Sequence, residues 1–300
     1  MGNQSSDLSG QKPSLSDIRT LAQKGVDEPY TLGRLYGSRI SCYATWLFAR
    51  TTLSPNAVTL IGVTCGLAAA LLLIRPLTMW TALTLGLLFQ ASYVLDFSDG
   101  ELARLRRRPS HAGSYLDWLG HLYVPTLSVG LLGLQVGDAL DNSLWTIMGI
   151  VAAVGMGNFH FSCKEHIAVA FLRRHPGSAS HGLVQNALLD RPQPLSNGVR
   201  LAQLSVMSAA RPRGGLRIGL QQAMGATLIY PGAMHLLTAA VVVDAVSSSL
   251  AGRSLAIGRT SLLVIWSLVL TLHAFVAVGR NYRVLQGLDT VADEIHRTTS

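Results

Sequence analysis

Three aspartates and two histidines crowd into one stretch of this chain, DFSDGELARLRRRPSHAGSYLDWLGH, which runs from Asp96 to His121. Asp96, Asp99 and Ala103 fall at three- and four-residue spacing and so share one helix face. Gly113, Asp117 and His121 recur every four residues and share another. Carboxylates brought together repel one another unless a cation neutralises them, and hard oxygen donors suit Mg²⁺ or Mn²⁺ shared with substrate phosphates. Gly100 and Gly113 offer bare backbone to a phosphate or nucleotide. Arg104, one turn beyond Gly100, can present a planar fork to phosphate oxygens. A single aspartate at a helix end is often only a cap. Three of them with two glycines and an arginine at these positions instead suggest a site for a metal-bound pyrophosphate.

Those faces must sit on neighbouring helices, and the composition says of what kind. Apolar residues make up 49% of the 300 residues and charged ones only 13%, against about 25% charged in an ordinary soluble domain. Long uncharged runs alternate with short basic segments. The expected fold is therefore all-α and polytopic: six transmembrane helices preceded by an interfacial amphipathic helix. The spans lie near 57–74, 77–96, 113–137, 144–163, 223–243 and 260–279, each near the ~20 residues that cross hydrocarbon. The segment 34–53 mixes Leu35, Ile40, Tyr43, Trp46, Leu47 and Phe48 with Arg34, Arg39 and Arg50, and suits the headgroup plane. Residues 1–33 read as a polar N-terminal tail with at most one short helix, and 284–300 as a C-terminal tail. The connection 164–222 reads as irregular with some surface helix.

With the N-terminus inside, 21 of the 24 Lys and Arg fall on the inner side, leaving Arg75, Arg253 and Arg259 outside. This positive-inside split puts both termini and the acidic cluster on the cytoplasmic face. It also accounts for the net charge of +8 without nucleic acid as a partner. Arg106, Arg107 and Arg108 are expected to meet lipid phosphates. A transporter would place its charges near the bilayer midplane, whereas these gather at one end. Cys42, Cys65 and Cys163 lack metal-ligand spacing and read as buried thiols. No basic segment followed by an apolar one opens the chain as a cleavable signal would.

The stretch resembles the signature of the CDP-alcohol phosphotransferase (phosphatidyltransferase) family, D-x2-D-G-x2-A-R-x8-G-x3-D-x3-D. Asp96, Asp99, Gly100, Ala103, Arg104, Gly113 and Asp117 match seven of its eight fixed positions at the correct spacing. Ser54-Pro55-Asn56-Ala57-Val58-Thr59 also looks like the element that opens the first span in many members. The resemblance covers roughly residues 34–283 and leaves the N-terminal tail outside. It implies that Asp96, Asp99 and Asp117 bind two divalent metals, Mg²⁺ or Mn²⁺. It further implies that Gly100, Ala103, Arg104 and Gly113 contact CDP, with Asn56 and Thr59 near the cytidine. The activity implied is transfer of a phospho-alcohol group from a CDP-alcohol donor to the hydroxyl of an alcohol or lipid acceptor, releasing CMP, in phospholipid or phosphodiester synthesis. Membrane lipids are the surroundings, and a homodimer is compatible with the reading.

The departure is at the eighth position, where the family usually has a fourth aspartate and this chain has His121. A neutral imidazole can ligate metal and accept a proton, with a reference pKa near 6.5. It cannot bridge two metals through two oxygens. His121 is thus a candidate metal ligand and general base, and the second metal is in question. The alternative is a catalytically altered CDP- or lipid-binding membrane protein of the same fold. Among other polar residues in the spans, His160, Lys164, His166, His235, His273 and Arg280 are candidates for an acceptor pocket, with His160–Lys164 and Arg280–Arg283 favoured by their place at cytosolic ends.

Overall fold

The computed structural model describes residues 13–23, 36–108, 110–161, 232–252, 255–276 and 279, and among them there is no strand. The order is α1 (Leu15–Asp17), running on into a π-helical turn (Ile18–Ala22), α2 (Ser38–Ala49), α3 (Pro55–Leu72), α4 (Met79–Leu105), α5 (His111–Leu140), α6 (Ser143–Phe161), α7 (Gly232–Ala251) and α8 (Ile257–Val276). Four of these, α3, α5, α7 and α8, are long and apolar enough to cross a membrane, and α6 is a shorter apolar helix. The second expected span lies on α4. That helix is ~40 Å long at 1.5 Å per residue, but it carries Gln90, Ser92 and Tyr93 on its way to Asp96.

Local chemistry sets the ends. Ser54 accepts from the Ala57 N–H with Pro55 at the first helical position, so α3 starts there. Thr78 and Thr81 cap each other reciprocally at the start of α4. This helix does not stop at Asp96, where the hydropathy falls away. Glu101, Leu102, Ala103 and Arg104 are good helix formers and carry it to Leu105. It closes where Arg107 takes the left-handed conformation, φ +50°. Ser110 then accepts from the Gly113 N–H and opens α5. Pro125 lies inside α5 and has no N–H to give to the carbonyl of His121 four residues before.

The chain forms two compact units, Met1–Ala153 with Met224–Ile265, and Val154–Ala223 with Trp266–Ser300. In the first, α3 packs on both α4 and α5, and α4 also meets α2 and α7. Lipid tails are as apolar as leucine, so helices in a bilayer associate through close packing rather than the hydrophobic effect. Glycines permit that packing. A Cβ at Gly120 would lie 2.6 Å from Val63 Cγ2, and one at Gly66 would lie 2.9 Å from Ser92 Oγ. Bulky side chains instead face outward, as Leu60, Leu71, Trp80 and Leu87 do. In the second unit the Phe159 and His273 rings lie with centroids 4.6 Å apart.

Four expectations change. The fifth span was expected to end at Val243, before Asp244, yet α7 continues to Ala251. Asp244 is tolerated because Arg259 Nε donates to its Oδ2 at 2.9 Å, with both side chains 1% exposed. Arg259, expected as an outer loop charge, is therefore a buried partner that also reaches Gln135 Oε1 at 3.0 Å. Arg106 does not project to lipid phosphates. Its guanidinium donates to the carbonyls of Phe48, Thr51 and Leu53, pinning the α2–α3 connection. Finally, part of the segment read as a polar tail is seated: Ile18 and Ala22 are fully buried against Cys42, beside Trp46 and Leu105. The start of this segment is closed by Ser14, whose N–H and hydroxyl both bond Asp17 and hold its carboxyl below the usual range. Residues 1–12, Arg34, Leu35, 162–231 (with Lys164 and His166) and 280–300 (with Arg280 and Arg283) lie outside the described residues, as does the His160 side chain.

Candidate functional site

The site forms where α3, α4 and α5 converge. Asp96 and Asp99 project from α4, Asp117 and His121 from α5, and Thr59 from α3. The helical periods read from the sequence set the first four. The fifth depends on α3 approaching both partners through Gly62 and Gly66. Together with Ser92, Val63, Gly120 and Val124 they line one small cavity. Its free space is about 10 Å³, room for a single water or ion and far too little for a nucleotide.

His121 Nε2 lies 2.9 Å from Asp96 Oδ1 and 3.4 Å from Asp117 Oδ1. One donor atom from each of Asp96, Asp117 and His121 falls within a 4.8 Å span. Two half-buried carboxylates and an imidazole at the end of an apolar bundle are a donor set that fits a hard divalent cation. Asp99 faces the same cavity but is more deeply set, 9% exposed. The Thr59 hydroxyl donates to its Oδ2. Thr59, expected near the cytidine, thus bonds an aspartate of the cup.

The remaining expected residues line the rim. Asn56 Oδ1 accepts from the Ser110 hydroxyl at 3.1 Å and lies so close to Gly113 that a Cβ there would come within 2.6 Å of it. Gly113 therefore has to be glycine for Asn56 to hold this pose. The Arg104 guanidinium folds back over Gly100, with Nη1 3.2 Å from where a Cβ would stand. Its Nε donates to the carbonyl of Ala22. Ala103 is half-buried on the same helix.

Sequence reasoning did not single out Ser92, Val63 or Gly120. Ser92 stands four residues before Asp96 on one face, a signal that was present in the spacing. Val63 and Gly120 carry no chemistry of their own, and only the packing reveals them. His235 belongs to a separate cluster, where its Nε2 lies 2.8 Å from the Tyr36 hydroxyl and its Nδ1 3.1 Å from Gln90 Nε2. His273 lies in the other unit.

Comparison with known proteins matches the same stretch of chain to a known family. A family model described as CDP-alcohol phosphatidyltransferase matches residues 52–189. A similar protein is the "Bifunctional IPC transferase and DIPP synthase" of Thermococcus kodakarensis, 30% identical over 156 residues, which is 52% of this chain and 33% of that protein. The chain thus spans about a third of the length of this relative. Every side chain placed in the cup and on its rim, from Asn56 to His121, falls inside the matched segment. Residues 52–189 carry a CDP-alcohol phosphatidyltransferase domain.

Proposed function

We propose that this protein is an integral membrane enzyme that transfers a phospho-alcohol group from a CDP-alcohol to an acceptor hydroxyl, with release of CMP. The observation that carries the reading is the convergence of Asp96, Asp117 and His121 donor atoms within 4.8 Å, inside a domain of that family. Asp96, Asp99 and Asp117 would hold Mg²⁺ or Mn²⁺, with the His121 imidazole beside them left off the metal so that its lone pair can accept a proton. When bound, such a cation supplies Lewis-acid polarisation of the phosphoryl oxygens and neutralises charge that builds on the leaving phosphate. In the reaction the acceptor oxygen attacks the phosphorus that bears the donor alcohol. The bond from that phosphorus to the oxygen of CMP breaks, and CMP leaves with the electron pair. His121 takes the proton released from the acceptor hydroxyl. Arg104, over the bare backbone of Gly100, binds the donor's phosphates. Gly113 and Asn56 form the rim against which the nucleotide lies, and Thr59 orients Asp99. Catalysis of this type is mostly positioning and electrostatics.

The similarity to an IPC transferase and DIPP synthase supports transfer chemistry, over 33% of that longer protein. The catalytic face is assigned to the cytoplasm, on the distribution of Lys and Arg. The deciding experiment incubates purified protein with Mg²⁺ or Mn²⁺, a panel of CDP-alcohols and hydroxyl acceptors, and identifies products by mass spectrometry. CMP and a phosphodiester should appear together, and Asp117→Asn should abolish both. Full turnover in EDTA would sink the metal assignment. Nucleotide binding without CMP release would favour the non-catalytic reading that His121 invites.

A further inference from the structure

Arg104 is the only guanidinium of the family signature, and the carbonyl that its Nε bonds lies more than eighty residues away in a segment outside the matched domain. The turn Ile18–Ala22 is anchored by two fully buried side chains, Ile18 and Ala22. Its last carbonyl points at Arg104 Nε. Gln23, the next residue, uses its side-chain amide twice: it donates to the Ser38 carbonyl at the start of α2 and, at 3.2 Å, to Glu101 Oε1. Glu101 follows Gly100 directly and is 2% exposed. Its carboxylate also accepts from the hydroxyls of Ser41 at 2.7 Å and Thr45 at 2.6 Å. Three neutral donors from two separate elements therefore converge on one carboxylate of the catalytic helix. A buried carboxylate requires such partners, and they fix the N-terminal turn and α2 against α4 at the level of the signature.

The structure assigns the N-terminal turn, held through Gln23 and Glu101, as the device that orients Arg104 toward the donor's phosphates. Gln23, Ile18 and Glu101 are positioning residues in this assignment, which rests on the phosphotransfer reading above. An arginine has about 2 kcal/mol of rotamer entropy to lose on binding. A carbonyl that fixes Nε restricts the guanidinium before the donor arrives. The gain is in donor binding and not in the chemical step.

The test measures kcat and KM for donor and acceptor from CMP release, Kd for CDP by titration, and thermal stability, on full-length protein. Gln23→Ala and Ile18→Ala should each raise the donor KM and the CDP Kd roughly tenfold, the scale of one hydrogen bond to a charged group. The kcat should stay within about threefold and the acceptor KM should not move, the pattern of lost ground-state binding. In an Arg104→Lys background, which has no Nε–H for Ala22, neither substitution should weaken the donor further. Additive losses in that background would overturn the assignment. So would equal losses in kcat and in both KM values that track a fall in Tm, the mark of a merely structural contact. If the wild type releases no CMP from any CDP-alcohol, the phosphotransfer reading fails and this assignment fails with it. If the wild type turns over and the losses are additive, only this assignment fails.

Discussion

At the scale of single residues, the informative position is His121. Its four-residue spacing from Asp117 and its place on the face opposite Asp96 were readable from the sequence, because helical period alone fixes them. What the sequence did not contain was the depth of each group. Asp117 is 46% exposed while Asp99 is 9% exposed and takes the Thr59 hydroxyl, a difference set by how α3 lies on α4. A histidine base works in its neutral form, so kcat should fall as pH drops through the imidazole's pKa. An aspartate base works ionised, with a reference pKa near 3.9. His121→Asp restores the family's fourth carboxylate, and its activity profile should therefore keep its acid side to lower pH than the wild type's. An unchanged acid limb in that variant, measured as kcat against pH, would remove His121 as the base.

At the scale of elements, the helices were legible and their ends were not. Hydropathy placed the end of the second span at Asp96, but the helix runs nine residues further, because backbone hydrogen bonding and good helix formers do not stop where apolar residues do. The signature is consequently displayed on one continuous helix, and its spacing translates directly into a face. The cup also depends on close approach. Gly120→Ala should destabilise the protein by about 1–3 kcal/mol, since its Cβ would press on Val63 at a packed contact. Adding Val63→Ala should recover much of the loss in thermal unfolding in detergent. If Gly120→Ala alone is neutral, α3 and α5 are not as tightly engaged as the geometry requires. The segment expected as an interfacial amphipathic helix is helical over Ser38–Ala49, and its inward face is small and polar, Ser41, Cys42 and Thr45. That choice makes sense only with Glu101 as the group to be satisfied.

At the scale of the whole molecule, the counts of basic residues predicted which loops share a side, but treated every charge as a loop charge. Arg259 shows the limit of that bookkeeping: its partners Asp244 and Gln135 are distant in sequence, and no local pattern marks a buried pair. Asp244 also accepts from the Gly258 and Arg259 backbone N–H groups, capping the start of α8. Asp244→Ala should cost about 3–5 kcal/mol by leaving the guanidinium buried without its carboxylate. Replacing Asp244 and Arg259 together by apolar residues should cost much less than the single change. Equal losses for single and double variants would show that the pair contributes through the cap and not through its charge. The assigned orientation has its own check. In a background freed of Cys42, Cys65 and Cys163, an impermeant maleimide applied to intact cells should label Trp80→Cys and spare Arg107→Cys. The reverse pattern would invert the topology.

A hydrogen bond cannot pass through a bilayer. Because the Ala22 carbonyl reaches Arg104, the amino-terminal turn and the end of α4 lie on one face of the membrane, whichever face that is. The number of crossings between them must be even, a parity that the expected crossings on α3 and α4 would meet. An insertion error that left α3 or α4 uncrossed would strand the arginine across the membrane from its carbonyl. A reporter fused ahead of Pro13 therefore reads out the sidedness of the acidic cup itself.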